Sequence, residues 1–423
     1  MERAVKFLKV TLVGLAAILL MALWVGFAGF VCLFGWWMKP VAPEGDADGF
    51  LAVASQMIDE ESKGNAALIL IEDGETAGSV FADEARDIDD MTVFPTASFS
   101  KWMAAMAIMT LVEDGLVDLD APVSDYLTRW TLPEGEFDND QVTVRRLLSH
   151  TSGLTDGLGF GEYTAEETIP RLEESLAHPR ASRGEDVRIA VGQEPGVFAY
   201  SGGGYLILEL LIEEVTGEAY ADYIAQRFFV PLGMEVSTYD FLGDVPHASA
   251  NYDAEGNELP HVQFASAAAT GLSSSARDLS HLVKGTMRER RGFPLSPDAL
   301  EEMRKPEAFV LGAPIWGLGT ILYAPTRNGE DFVFGHDGAN DPATNVTIRI
   351  NPETRDAIIV LVTGHPRLAS EIGGEWVLWQ TGVPDVLSTD KALRSAVVPA
   401  LAGAGIILLL VIFGARALFF RRS

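Results

Sequence analysis

The sequence of 423 residues predicts an α+β fold, in which an antiparallel sheet is flanked by helices and joined to a mainly helical subdomain. It also predicts one transmembrane helix at each end of the chain. Two observations carry these predictions. Strand patterns occur near both ends of the central region, whereas residues 98–310 are mostly of helical pattern with many loops. Long uncharged runs lie close to both termini.

The two terminal runs are long enough to cross a bilayer. Residues 10–37 contain no charge over 28 positions, and residues 396–415 none over 20. A helix needs about 20 residues to cross roughly 30 Å of hydrocarbon. The first run is also longer than the core of about 7–15 residues in a secretory signal peptide. We therefore favour a retained anchor, with a cleaved signal peptide as the alternative.

Basic residues give the orientation. Arg3, Lys6 and Lys9 precede the first run, and Arg416 follows the second. Cationic flanks stay on the cytoplasmic side, so the central region is expected outside, which is the periplasm in a cell with an inner and an outer membrane. The predicted segments are a cytoplasmic N-terminus (1–9), a transmembrane helix (10–37), a linker (38–46), an exterior domain (47–390), a transmembrane helix (396–415) and a cytoplasmic C-terminus (416–423).

The exterior part is strongly acidic. The whole chain has a net charge of −29; residues 1–37 contribute +2 and residues 395–423 contribute +3, which leaves −34 for the middle. Such a field repels nucleic acid and anionic lipid headgroups. We expect no nucleic-acid partner and interpret the charge as a solvated surface. Cys32 is the only cysteine, so no disulfide supports the exterior domain.

The strand patterns lie far apart in the sequence. A helix is expected from about Phe50 to Glu61, followed by the strand "AALILIE", a turn at Asp73-Gly74 and a second strand through Val80. Near the other end, "NVTIRI" alternates apolar and polar residues, and "AIIVLVT" suits a central strand. We expect residues 66–81 and 316–363 to share one sheet, which brings the two chain ends together.

A serine and a lysine stand at the start of an apolar helix, in the sequence "SFSK". Ser98 and Lys101 are three residues apart and share a helix face. A lysine at the edge of an apolar core tends to lose its proton, and beside a serine it can accept the hydroxyl proton and create a nucleophile. The structural alternative is a serine N-cap followed by a lysine that reaches solvent.

Other hydrolase classes lack their patterns. No G-x-S-x-G elbow occurs, which argues against an α/β-hydrolase. The seven histidines form no H-E-x-x-H or similar ligand pair, and no glycine-rich phosphate loop with lysine is present. We therefore expect neither a metal nor a cofactor.

Five blocks, in their order and spacing, resemble the class C β-lactamase-like serine hydrolases, which include penicillin-binding-protein-like enzymes, esterases and D-aminopeptidases. The likeness covers roughly residues 47–380, so the exterior domain is interpreted as a hydrolase domain with the β-lactamase/DD-peptidase-like fold. The blocks are "SFSKWMAAMAIMTLVEDGLVDLDAPVSDYL", "VTVRRLLSHTSGL", "PGVFAYSGGGYLILELLIEEVTGEAYADYIAQRFFVPLGM", "GLSSSARDLSHLV" and "FGHDGAN".

The resemblance implies roles for individual residues. Ser98 is similar to the acylated nucleophile, Lys101 to its proton partner and Tyr200 to the tyrosine that serves as base and then acid. A phenol with a pKa near 10 acts as a base only if a cation such as Lys101 stabilises its phenolate. His336 stands where β-lactamases carry a lysine. Backbone amides of Ser98 and Ala339 would hold the carbonyl oxygen, and Gly338 lies in the same substrate-binding strand.

Two departures bear on the substrate. The family tyrosine is usually followed by serine and asparagine, whereas this chain has Gly202 at the asparagine position. With His336 in place of lysine, the positive charge that would hold a substrate carboxylate is also weaker near neutral pH. Loss of one charge-assisted hydrogen bond costs about 1.5–3 kcal/mol, tenfold or more in affinity. The sequence favours esters, or amides without a terminal carboxylate, over β-lactams.

Two functions are therefore considered. The first is a membrane-anchored serine hydrolase that forms an acyl-enzyme on Ser98 and takes a small ester, amide or peptide substrate. The alternative is a non-catalytic binding or scaffold protein of the cell envelope, which Gly202 permits but the joint presence of Ser98, Lys101 and Tyr200 disfavours.

Overall fold

The computed structural model describes residues 2–82, 87–157, 161–180, 187–241, 245, 247–287, 292–340 and 343–420. The helices of these segments are α1 (Glu2–Leu33), α2 (Ala47–Glu61), α3 (Ser100–Glu113), α4 (Val144–Leu148), α5 (Leu172–Ala177), α6 (Gly202–Thr216), α7 (Tyr220–Ile224), α8 (Val230–Leu232), α9 (Ala276–Met287), α10 (Pro297–Arg304), α11 (Leu368–Thr381) and α12 (Thr389–Phe420).

The strands form one large and three small sheets. They are β1 (Ala66–Glu72), β2 (Glu75–Ala82), β3 (Val93–Pro95), β4 (Glu162–Tyr163), β5 (Asn251–Tyr252), β6 (Glu258–Leu259), β7 (Gln263–Phe264), β8 (Ser273–Ser275), β9 (Ala308–Val310), β10 (Ala313–Trp316), β11 (Ile321–Pro325), β12 (Phe332–Asn340), β13 (Thr344–Asn351) and β14 (Asp356–Thr363). The large sheet has the order β2-β1-β14-β13-β12-β11-β10-β9 and is antiparallel throughout.

The large sheet separates two apolar cores. In β1 every residue from Ala66 to Ile71 is buried, because alternate side chains point to opposite faces of the sheet. Leu68 and Leu70 pack with α2 and α11 on one face, whereas Ile69 and Ile71 join the core formed with α3, α6 and α9 on the other. A sheet covered on both faces therefore holds the helical subdomain against one side, and the site described below lies along that contact.

The predicted fold class is confirmed. β1 pairs directly with β14, so the two ends of the central region meet in one sheet as expected. The sheet also begins earlier than predicted, because β9 and β10 form its edge. These strands are only three and four residues long, include Pro314 and carry a register irregularity, so they have no clear periodic pattern. The described part of residues 98–310 also contains the short strands β4–β8.

The terminal helices pack against each other. Val10–Leu33 and Lys391–Gly414 are each long and apolar enough to cross a membrane. The indole nitrogen of Trp24 donates to the carbonyl oxygen of Pro399 at 3.0 Å. A Cβ at Gly403 would collide with the Trp24 ring, so a glycine is required where the two helices approach. Residues 34–37 form a turn, and the first helix ends before them.

Candidate active site

Ser98 lies in a strained turn that leads into α3. Ala97, the residue before it, has a φ of 49°, in the left-handed region that a non-glycine residue rarely adopts. Ser100 fixes the turn: its hydroxyl donates to the Ala97 carbonyl at 2.7 Å and accepts from the Leu272 amide at 3.0 Å. The turn therefore holds the partly exposed Ser98 side chain at the mouth of a cleft.

Lys101 is one turn further into the helix and almost completely buried, with 2% of its surface exposed. Its Nζ lies 3.2 Å from Ser98 Oγ and donates to the Ala269 carbonyl at 2.8 Å. Burial lowers the pKa of Lys101 to about 7, although the carboxyl group of Asp156 acts in the opposite direction. At neutral pH a large fraction of Lys101 is therefore an uncharged amine next to the serine hydroxyl.

Tyr200 brings a phenol to the same point from a distant part of the chain. A hydrogen bond joins the side chains of Tyr200 and Ser98, but burial dominates and raises the pKa of Tyr200 above its usual value. Lys101 Nζ lies over the ring, 5.1 Å from its centroid. The expectation that Lys101 stabilises a resting phenolate is therefore not met, because the desolvated phenol keeps its proton.

His150, in the "HTSGL" block, packs against Tyr200. The ring of His150 stacks on the Tyr200 ring with a centroid distance of 4.2 Å and an interplanar angle of 27°. His150 Nδ1 accepts a hydrogen bond from the Ser201 amide at 3.1 Å, so His150 holds both the tyrosine and the residue after it. Burial lowers the pKa of His150 well below its usual value, and the ring is neutral.

His336, Gly338 and Ala339 line the opposite wall, on β12. His336 is 1% exposed, and its Nδ1 donates to the Asp337 carbonyl at 2.5 Å. Burial and the nearby Lys101 lower the pKa of His336 to about 3, so it carries no charge near neutral pH. A Cβ at Gly338 would collide with the carbonyl oxygen of Thr96 and lie 3.2 Å from the Ser98 amide nitrogen. Only glycine lets β12 approach the Ser98 turn this closely.

A cleft of about 790 Å³ contains most of the predicted site. Ser98, Tyr200, His336, Gly338 and Ala339 line it together. Lys101 contacts Ser98 from beneath. Among the residues that the structure describes, Gly202 is not part of this lining; it is buried at the start of α6, where its amide donates to the Gly157 carbonyl at 2.8 Å. The Gly202 position therefore contributes no side chain to the cleft.

Sequence reasoning missed one buried carboxyl group behind the site. Glu209 on α6 accepts hydrogen bonds from the Ala268 amide at 2.9 Å and the Ser266 hydroxyl at 3.2 Å. It thus fixes the segment whose Ala269 carbonyl binds Lys101. Burial raises the pKa of Glu209 to about 8. The sequence does contain a feature that could have indicated this residue, because Glu209 is the single charged residue in the apolar run "GYLILELLI".

Comparisons with known proteins agree with this architecture. The family model described as Beta-lactamase matches residues 52–382. Protein flp of Staphylococcus aureus (strain MW2) is 26% identical over 285 residues, which cover 64% of this chain and 52% of flp. The chain thus spans about half the length of the curated relatives it matches.

Solved structures share the fold. The octameric penicillin-binding protein homologue from Pyrococcus abyssi aligns with a TM-score of 0.63 at 26% identity, over 79% of this chain and 76% of that chain. D-amino acid amidase from Ochrobactrum anthropi SV3 aligns with a TM-score of 0.58 at 22% identity, over 77% of this chain and 98% of that chain. The present chain belongs to the Beta-lactamase family.

Proposed function

We propose that this protein is a membrane-anchored serine hydrolase that cleaves esters or amides through an acyl-enzyme on Ser98. The observation that carries the proposal is the 3.2 Å separation between Ser98 Oγ and the buried Lys101 Nζ, whose pKa is lowered to about 7. An unperturbed lysine near 10.4 would be uncharged in fewer than about one molecule in a thousand at pH 7. Desolvation thus supplies the base that the serine needs.

Acylation uses the side chains of Ser98, Lys101 and Tyr200 together. Ser98 Oγ attacks the substrate carbonyl carbon while its proton passes to neutral Lys101. The amides of Ser98 and Ala339 hold the oxygen that becomes negative. When the bond to the leaving group breaks, the Tyr200 hydroxyl gives that group its proton, which fits the raised pKa of Tyr200. The Lys101 ammonium group then passes its proton to the Tyr200 phenolate, because the pKa of Lys101 is about 7 and the pKa of Tyr200 is raised, so the acyl-enzyme holds a neutral amine and a neutral phenol.

Deacylation regenerates Ser98. Water attacks the acyl carbon and loses a proton to the neutral Lys101 amine. The Ser98 oxygen departs and takes back its proton from the Lys101 ammonium group. The sum is one ester or amide plus water giving an acid and an alcohol or amine, and all three side chains return to their starting protonation states.

The substrate class follows from His336. A neutral imidazole on the cleft wall offers no fixed positive charge to a carboxylate. We therefore infer that the preferred substrates carry no free carboxylate next to the bond that is cleaved, and that β-lactams and peptides ending in D-alanine are poor substrates.

Covalent labelling tests this function. A fluorophosphonate probe is expected to add to Ser98 of the detergent-solubilised full chain, as read by peptide mass, and to leave Ser98→Ala unlabelled. The same pair is compared for hydrolysis of p-nitrophenyl acetate, which Lys101→Ala should also abolish. A folded wild-type protein that is neither labelled nor active would support the scaffold alternative instead.

The proposed topology has a separate test. Both termini are placed in the cytoplasm and residues 38–394 outside, on the basis of the basic flanks. Alkaline phosphatase is expected to be active when fused after residue 45 and inactive when fused after residue 423. Activity at the second position would overturn the topology without affecting the hydrolase proposal.

A further inference from the structure

The C-terminal helix enters the wall of the catalytic cleft before it leaves the domain. After α11 ends at Thr381 the chain reverses and runs back beside α11. Lys391 pairs there with Glu375, and the side chain of Ser388 lies against Gly374. The reversal carries the first turns of α12 toward the end of α11 that borders Ser98.

The cleft is therefore built partly from this helix. Leu387, Lys391 and Arg394 line the same cavity as Ser98 and Tyr200. Leu387 precedes α12, has 49% of its surface exposed and offers an apolar edge to the cleft. The apolar span of α12 begins at Lys391, so the rim of the cleft and the start of the membrane-spanning segment coincide.

An exposed apolar strip continues from the rim along α12. Residues three, four and seven apart lie on one helix face, which places Val398 and Leu401 above Lys391 and Arg394. Val398 is 75% exposed and Leu401 69% exposed. The adjacent face, with Pro399 and Gly403, is covered by Trp24 of α1. Val398 is four residues beyond Arg394, a rise of about 6 Å, so the strip starts about one helical turn from the rim.

Charge at the rim does not select a headgroup. Three basic and four acidic side chains line the cleft. Arg367 pairs with Glu371 at 3.4 Å, Lys391 pairs with Glu375, and Asp337 pairs with the buried Arg349 at 3.3 Å. The other two charged residues of the lining are the acidic Glu61 and the basic Arg394. Such a balanced rim gives no net attraction for anions or cations, which leaves the apolar strip as the feature that distinguishes substrates.

We propose that the substrate is an amphiphile held in the bilayer, an ester or amide whose hydrocarbon chain lies along the Val398–Leu401 strip while its labile bond reaches Ser98 past Arg394. The proposal rests on the hydrolase function and membrane anchoring proposed above. The chain stays in hydrocarbon, so binding does not require transfer of the whole lipid into water, which would cost about 0.8 kcal/mol per CH₂ group.

The test uses the full chain in phosphatidylcholine vesicles. Hydrolysis of p-nitrophenyl palmitate held in the bilayer is compared with hydrolysis of soluble p-nitrophenyl acetate, and the ratio of the two rates is recorded. In Val398→Trp the indole blocks the strip, although tryptophan is well accommodated at a membrane interface. We expect this ratio to fall about tenfold. Val397→Trp is the matched control, because Val397 lies at the same depth, is 51% exposed and points about 100° away.

The outcomes separate the two proposals. A fall of the ratio in Val398→Trp but not in Val397→Trp supports the amphiphile. An equal ratio in wild type and both variants overturns it, as does a wild-type enzyme that cleaves the acetate but not the palmitate in the bilayer; both results leave the hydrolase function intact. Failure of wild type on both esters removes the hydrolase function and the amphiphile together. Fluorophosphonate labelling of Ser98 checks that each variant is folded.

Discussion

Arg349 forms a fully buried ion pair with Asp385, which lies in the segment between α11 and α12. Arg349 belongs to β13, next to the strand that carries His336. Its other contacts reach Asp337 at 3.3 Å and the Ser370 carbonyl at 3.1 Å, and its guanidinium lies 4.2 Å from the centre of the Tyr323 ring. One side chain thus connects the cleft wall with the segment that leads to the C-terminal helix.

Removal of the Arg349 charge should destabilise the domain strongly. In Arg349→Met the carboxylate of Asp385 stays fully buried and the mostly buried carboxylate of Asp337 also loses its cation; breaking a buried pair costs about 3–5 kcal/mol. The free energy of unfolding, from urea titration of the solubilised protein, measures the loss. Arg355→Met is the control, because Arg355 and Asp73 are half or more exposed and their pair is worth less than about 1 kcal/mol. Similar losses in both variants would contradict the buried network.

The pH dependence of acylation should report Lys101. Its amine must be uncharged to accept the Ser98 proton, so kcat/KM for p-nitrophenyl acetate is expected to rise with pH and level off above an apparent pKa of about 7. Tyr200 stays protonated over this range because its pKa is raised, and His336 stays neutral because its pKa is about 3. A profile that is flat from pH 5 to 9 would argue against Lys101 as the base.

A fixed charge at position 336 should change substrate preference. His336→Lys places an ammonium group where a substrate carboxylate would lie, and one charge-assisted hydrogen bond corresponds to about tenfold in affinity. We expect KM for a chromogenic cephalosporin to fall about tenfold relative to KM for p-nitrophenyl acetate. The nearby charge should also lower the apparent pKa of Lys101. His336→Asn, neutral and polar, should show neither change, and equal KM ratios in both variants would refute the charge argument.

The parts of the site that sequence could predict are those fixed by local geometry. Ser98 and Lys101 are one helical turn apart, so their proximity follows from the spacing alone, and their 3.2 Å contact agrees with it. The positions of Tyr200 and His336 depend on long-range packing, and only the family resemblance indicated them. The central strands could be predicted because their sequences are apolar or alternate between apolar and polar residues over six or seven positions, a pattern typical of strands. The edge strands β9 and β10 were too short for such a signal.

Protonation states lie beyond what a sequence reveals. The interpretation that Lys101 stabilises a Tyr200 phenolate left out the desolvation of the phenol, whereas the structure buries Lys101, partly buries Tyr200 and places Lys101 Nζ over the tyrosine ring. Desolvation favours the uncharged form of each group, which means a neutral amine and a neutral phenol. This balance depends on contacts from α6 and the segment around Ala269, and neither can be derived from the motif that contains Ser98.

Glu209 should make stability fall as pH rises. Burial raises its pKa to about 8, whereas in the unfolded chain it titrates near 4.5. Between these values the folded state binds more protons than the unfolded state, so the stability of wild type decreases with increasing pH relative to Glu209→Gln, which cannot ionise. Other buried groups titrate equally in both proteins and cancel in the difference. From pH 5 to pH 7 we expect the free energy of unfolding of wild type, relative to the variant, to drop by about 1–3 kcal/mol. Urea titrations of both proteins at pH 5 and pH 7 measure this drop. If the free energies of unfolding of wild type and Glu209→Gln differ by the same amount at both pH values, the Glu209 carboxyl group ionises as freely in the folded protein as in the unfolded chain.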